Sequence, residues 1–503
     1  MYDAGSEGIR RRIYVKSYLE NGTAWRTSDN NRESLKMIFS SVQFLYWFLP
    51  IVILLYCAVP WKLKNAVLLI ASLVFYFFGE PVYTFLMLGS ALSGYLHGLI
   101  IGKVRGTKWA KVALVSSLVV GLGALGFFKY SNFFITNIND IFHSELGLLS
   151  LSLPIGISFY TFQILSYTID VYRNEAKVQK NPISFMAYVT LFPQLIAGPI
   201  VRYQTIQDEL DSRKHTLEDF SSGITRFCVG LGKKILLADA LFELIKILSE
   251  QQERSVLSYW LCAIAFMLQI YFDFSGYSDM AIGLGRLFGF HFLENFNYPY
   301  ISQSIAEFWR RWHMSLGTWF RDYVYIPLGG NRCSKGRWFF NVLVVWFLTG
   351  FWHGASWNFI IWGLYFAMFL LLEKLFLDKI LQKLPRILRT VYVLFFINIS
   401  FVIFNADSMK EVFENLGGMI GAGGIALTDE KTLYYLVSYA GLLLIAAVLS
   451  TPLVKWCIGK LQATKVGTKV LLVLEPMFVI LVILMATGFM VDGSFSPFLY
   501  FRF

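Results

Sequence analysis

Apolar runs and short polar breaks alternate along nearly the whole chain, and the runs are long. Stretches at 43–59, 65–79, 82–101 and 110–128 each approach or reach the length that crosses a hydrocarbon core of about 30 Å as a helix. Lys62 and Lys64 stand in the first break, and Lys103, Arg105, Lys108 and Lys111 in the third. The regular pattern returns at 338–353, 356–377, 388–404, 432–450 and 469–490. Between these blocks, the segments 151–170, 183–203, 222–247 and 256–290 are apolar but interrupted by Pro154, Pro193, Pro199 and many glycines. Irregular backbone at membrane depth is tolerated only where protein or a water-filled cavity surrounds it, so re-entrant or broken helices lining a cavity are expected there. The reading is an all-α multi-pass membrane protein with about eleven crossings, built as one membrane domain over 37–503.

The first 36 residues break the pattern. They are polar, carry Arg10, Arg11, Arg12, Lys16, Arg26, Arg32 and Lys36, and contain no apolar core of a signal peptide. Basic loops lie on the cytoplasmic side, which puts the 62–64 and 103–111 breaks inside and Met37 outside. A basic tail on the outer side violates the same rule, so translation is expected to begin at Met37. An intact mass of the native protein that included residues 1–36 would refute this.

Composition agrees with the pattern: of 503 residues 56% are hydrophobic, 17% aromatic and 15% charged, against about 25% charged in soluble domains. The net charge of +11 raises nucleic acid as a partner, but the basic residues are spread through short loops, where membrane orientation explains them. The five cysteines, Cys57, Cys228, Cys262, Cys333 and Cys457, show no CxxC or metal spacing, and neither a structural disulfide nor a zinc site is expected. No GxxxxGKS, GxSxG, HExxH or GxGxxG context is present, so nucleotide hydrolysis, soluble serine-hydrolase, zincin and Rossmann chemistry lack support.

Polar residues inside apolar segments are costly, and their clusters mark candidate chemistry. His353 lies in TGFWHGASWNFIIWG, at the end of a run from Phe339 to Trp352 without a charge. A neutral imidazole can take a proton from an attacking hydroxyl and return it to a leaving thiol. Gly350 and Gly354 permit close approach of backbone or substrate, and Trp352 and Trp357 could wall a channel. The competing reading is a structural histidine bonded to a neighbouring carbonyl. His313 lies in SIAEFWRRWHMSLGTWFRDYVYIPLGGNR, where Trp309, Trp312, Leu316 and Phe320 form a helical stripe and Arg310, Arg311, Arg321 and Asp322 occupy other faces. That pattern predicts an interfacial amphipathic helix on lipid headgroups, with His313 incidental. In QIYFDFSGYSDMAIGLG, Asp273 and Asp279 flank Ser275 and need cationic partners, for which Arg286, Arg310 and Arg311 are candidates; a buried ion-pair network is the expected role. LFPQLIAGPIVRY is expected to turn inside the membrane at Pro193 and Pro199, and IPLGGNR supplies a turn with Gly329, Gly330 and Asn331.

These stretches, with MIFSSVQFLYWFLP, NFNYPYIS and a C-terminal SPFLYFRF, resemble the membrane-bound O-acyltransferases, and within them the bacterial alginate O-acetyltransferase branch. The resemblance covers almost everything after residue 36. It implies a bundle with re-entrant and amphipathic helices around a central tunnel that brings a cytosolic acyl donor, acetyl-CoA or another acyl thioester, to a histidine deep in the bilayer of the cytoplasmic (inner) membrane. It implies His353 as the catalytic residue and His313 as the second signature residue, which reverses the incidental reading of that ring. Trp309, Arg310, Arg311, Trp352, Asp273, Ser275, Asp279, Arg321, Asp322, Asn331 and Asn358 are expected to line or support the passage. No permanently bound cofactor and no nucleic acid are expected; an extracytoplasmic acetyltransferase partner and a polysaccharide acceptor are. Two rivals remain. One is D-alanyl transfer onto teichoic acids by the same fold; the other is a polysaccharide or lipid transporter, which broken helices and intramembrane carboxylates resemble superficially.

Overall fold

The computed structural model describes residues 37–196 and 198–492; the expected N-terminal extension and the SPFLYFRF stretch lie outside them. Among the described residues every regular element is helical. Numbering the long helices and the two short ones beside the site, the first half runs α1 (Lys64–Gly79), α2 (Pro81–Lys103), α3 (Lys108–Phe142), α4 (Ile157–Arg173), α5 (Leu217–Gly232) and α6 (Val256–Leu287). The second half runs α7 (Ile305–Arg311), α8 (Met314–Phe320), α9 (Lys335–His353), α10 (Trp357–Leu372), α11 (Arg386–Asn405), α12 (Glu430–Leu449) and α13 (Lys465–Val491).

Eight helices among the described residues are long and apolar enough to cross a membrane, and Phe44–Ala58 is apolar but shorter. The remaining expected crossings are diluted or broken. α9 has a spanning length, but Asn341, Thr349 and His353 interrupt its apolar run. The 183–203 segment contains a short helix, Pro182–Thr190, followed by non-helical backbone. That backbone is deeply buried at Leu191, Phe192, Gln194, Leu195, Ile200 and Val201. Its amides find side-chain acceptors there, Phe192 N–H donating to Ser72 Oγ (3.0 Å) and Ile200 N–H to Ser315 Oγ (3.0 Å). The turn expected at Pro193 and Pro199 is therefore held inside protein, where unpaired amides would be costly.

The 256–290 segment is different from the expectation of a broken helix. α6 is one continuous helix of 32 residues. Its glycines serve helix crossing: a methyl at Gly276 would press on the Gly230 carbonyl and one at Gly283 on Gly223, so α5 and α6 meet backbone to backbone at two levels seven residues apart. Small residues at such crossings let helices approach closely where lipid offers no hydrophobic drive.

Side placement follows from contacts with the basic breaks. Arg105 is bonded to the Asn174 side chain and to the Val171 carbonyl, so the C-terminal end of α4 lies on the same side as the basic 103–111 break. Arg202 bridges to Asp322 at 2.7 Å and the Arg173 guanidinium donates to the Asp322 carbonyl at 3.3 Å, so the segment leading to α9 starts on that side too. At 1.5 Å per residue, His353 then lies about 27 Å up α9 and Lys129 about 32 Å up α3. Both lie in the part of the bundle away from these basic breaks.

Candidate active site

The C-terminal turn of α9 carries His353, which is buried at 6% exposure. α9 and α10 cross so tightly here that a methyl on Gly350 would strike the Phe359 carbonyl and approach Gly363. Gly350 thus admits the neighbouring backbone, and Gly354 the Phe359 ring. The crossing brings Trp362 edge-on to the His353 ring, centroids 5.1 Å apart, with Trp352 at 5.0 Å and Phe404 of α11 at 5.4 Å. Three aromatic edges hold the imidazole in one orientation.

On its other side His353 lines a small cavity of about 60 Å³, whose walls include Lys129, Pro154, Ser158, Phe159, Ile196 and Trp352. Pro154 and its neighbours come from the segment before α4, and Ile196 from the irregular backbone. Of the four interrupted segments, 151–170 and 183–203 therefore do contribute to a cavity lining, at residues 153–159 and Ile196, whereas 222–247 and 256–290 do not.

His313 is not the incidental member of a continuous interfacial helix. The chain breaks between α7 and α8, with His313 left-handed at φ 45° and ψ 52°, a conformation costly for a residue with a Cβ. The break turns the ring inward, to 2% exposure. Its Nδ1 lies 3.1 Å from Asn295 Oδ1, which also accepts from the Ser315 amide (3.2 Å) and hydroxyl (2.9 Å). A backbone N–H can only donate, so that Asn295 atom is the oxygen. His313 Nδ1 must then be protonated, which makes Nε2 the acceptor nitrogen. Asn295 is fixed in turn by donating to Ser278 of α6 at 3.0 Å. The His313 ring packs on Phe274 (4.7 Å) and reaches Trp352 (6.2 Å). Trp352 thus touches both histidine rings.

The other expected supporting residues divide clearly. Trp309 packs on Trp346, Trp362 and Phe366, behind the His353 cage. Asn358 is buried and caps α11 by donating to the Ala406 carbonyl at 2.7 Å. Asp273 and Asp279 do form an ion-pair network, but with other partners than Arg286, Arg310 or Arg311. Lys234 contacts Asp273 and Asp239, each at 2.8 Å; Lys233 and Arg226 contact Asp279, each at 2.6 Å. All three cations come from α5 and the π-helical Lys233–Asp239 that continues it, which lies against α6. Ser275 is buried in the same part of α6.

Arg310 is exposed and bonds within its own helix, and Arg311 pairs with Glu307 at 2.8 Å. Arg321 and Asp322 pair at 2.6 Å on the side of the basic breaks, and Asn331 is exposed in its turn. None of these five reaches His353. Trp357 does not wall the cavity either: it is half-exposed and donates to Asn137.

Sequence reasoning missed Asn295, Lys129 and Tyr130. Asn295 sits in NFNYPY, quoted only for its resemblance, and no periodicity distinguishes it from its loop neighbours. Lys129 looked like the end of a span.

Comparison with known proteins follows the same lines. The family described as MBOAT, membrane-bound O-acyltransferase family, matches residues 96–406. The chain is 43% identical over 399 residues to the protein named probable alginate O-acetylase AlgI of Azotobacter vinelandii, covering 78% of this chain and 80% of that one. It is 34% identical over 427 residues to a peptidoglycan O-acetyltransferase of Helicobacter pylori, covering 78% and 81%. A teichoic acid D-alanyltransferase of Bacillus subtilis is 32% identical over 228 residues, covering 42% of this chain and 57% of the other.

Proposed function

The chain belongs to the membrane-bound O-acyltransferase family, and from that premise we propose that it moves an acetyl group from a cytosolic thioester, acetyl-CoA in the first instance, across the bacterial cytoplasmic membrane for O-acetylation of an exported polysaccharide. It is a multi-pass membrane acyltransferase. The observation that carries the reading is the position of His353, at the end of α9 far from the basic breaks and in the wall of a cavity; with those breaks inside by the positive-inside rule, the cavity faces outward. A thioester donor is charged and cytosolic, the polymer is outside, and the imidazole lies where the two supplies would meet.

In the reaction, an acceptor hydroxyl approaches the thioester carbonyl carbon beside His353. As the C–O bond forms, the hydroxyl proton passes to the imidazole and the carbonyl oxygen becomes an oxyanion. The C–S bond then breaks, and the imidazolium returns the proton to the departing sulfur, leaving an ester and a thiol. His313 acts through its Nε2, held by the Asn295 bond, to position or relay a proton. The acceptor is presented by an extracytoplasmic acetyltransferase partner that uses the cavity side of the protein.

Acetyl is favoured over D-alanyl because the acetylating relatives match most of the chain and the alanylating one less than half. A strain lacking the gene is expected to lose ester-linked acetyl from a surface glycan, read by mass spectrometry of released acyl groups. Loss of ester-linked D-alanine with acetyl unchanged would transfer the assignment to the rival, and no change in either would reject both.

A further inference from the structure

Resting on the assignment of His353, we propose that Lys129 and Tyr130 of α3 are positioning residues that set the catalytic turn of α9. The last carbonyls of a helix have no intrahelical donor and must find one elsewhere. α9 stops at His353 and leaves through Gly354 in extended backbone, φ −164°, so it lacks the left-handed cap that would close these carbonyls from within. The Gly354 amide reaches back to the Gly350 carbonyl at 3.4 Å. The next three carbonyls are met by two consecutive residues of another helix. Tyr130 Oη donates to the Phe351 carbonyl at 2.8 Å, and Lys129 Nζ donates to those of Trp352 at 2.5 Å and His353 at 3.3 Å.

The pair is also locked sideways. The Tyr130 and Phe351 rings stack at 4.0 Å with 15° between planes, and Lys129 Nζ lies 3.4 Å from Ser158 Oγ at the start of α4. An ammonium at this depth is expensive, and ionisable residues inside spans are rarely retained without a role. A neutral donor could cap a carbonyl at lower cost. One Nζ can make up to three hydrogen bonds, and here it meets two carbonyls and the Ser158 hydroxyl, which holds the final turn against α3. His353 and Lys129 line the same cavity, so a shift of this turn moves the imidazole relative to the path of the acceptor hydroxyl.

The test reads ester-linked acetyl on the polymer per molecule of membrane-inserted protein, in a deletion strain carrying each variant. K129M, which keeps the stem and removes the donors, is expected to lower it by about 10–100-fold, the usual penalty for a catalytic group displaced by about an ångström. K129R is expected to recover most of the loss, and Y130F to show a several-fold fall. K129M in an H353A background should fall no further than H353A alone. Wild-type ester per molecule in K129M, or an equal loss in K129R, would overturn the proposal. Should K129M fail to accumulate, Y130F decides: normal ester content per molecule in that variant overturns it as well. Persistence of ester in H353A alone would instead remove the assignment of His353, which separates the two failures.

Discussion

His353→Ala is expected to reduce ester transfer by about 10²–10⁴-fold, the range that a positioned general acid–base group contributes. The measurement is ester-linked acetyl on the purified polymer, normalised to the amount of variant in the membrane. Folding should survive, because alanine removes one ring from an aromatic cage whose other members, Trp352, Trp362 and Phe404, also pack on Phe162, Phe366 and Phe359. A lost packing partner would lower abundance, whereas lost chemistry lowers ester per molecule. His353→Gln keeps a polar group of similar size without its proton affinity, so it should fail to nearly the same degree. Wild-type ester content in the glutamine variant would defeat acyl transfer by this ring and return the transporter reading to contention.

Much of the architecture was legible because the strongest signal in the sequence was also the physical cause of the fold. Runs expected at 65–79, 82–101, 388–404 and 432–450 became Lys64–Gly79, Pro81–Lys103, Arg386–Asn405 and Glu430–Leu449. Helices facing lipid need an unbroken apolar face, and nothing in the rest of the protein has to be known to see it. The same logic failed where neighbours replace lipid. The run expected to end at 128 continues to Phe142, because Lys129 finds carbonyls of α9 and Asn132 and Asn139 find backbone of the following loop. Charge ended the pattern in sequence without ending the helix in space.

The site shows the same division. The two histidines stood out because so few exist and both lie in aromatic surroundings. The arginines near His313 stood out equally, yet the left-handed turn at that residue sends its ring inward and leaves Arg310 on the surface. Helical spacing could not reveal this, since the periodicity runs unbroken through the point where the backbone turns. Asn295, which fixes the His313 tautomer, is sixteen residues beyond Asp279 in a loop, and only the folded α6 brings it to Ser278.

Replacing Lys234 with methionine is expected to cost about 3–5 kcal/mol, the usual penalty for deleting one partner of a buried charge pair. Its ammonium is fully buried between Asp239 and Asp273, themselves 8% and 3% exposed at the side chain. Without it two carboxylates face each other at the junction of α6 with the continuation of α5. Against a total stability of about 5–15 kcal/mol, such a loss should lower the unfolding temperature in detergent sharply and deplete the protein from membranes. The companion pairs on Asp279 predict a graded contrast: Lys233 and Arg226 are 23% and 29% exposed, and each backs up the other, so K233M should be much milder. Adding D239N and D273N to K234M removes the facing charges and should restore much of the lost stability, since amides can bond to each other where carboxylates repel. Equal unfolding temperatures for K234M and the parent protein would mean that the cluster does not hold these helices together. A triple variant that recovers stability but loses ester transfer would show instead that the buried charges also serve the reaction.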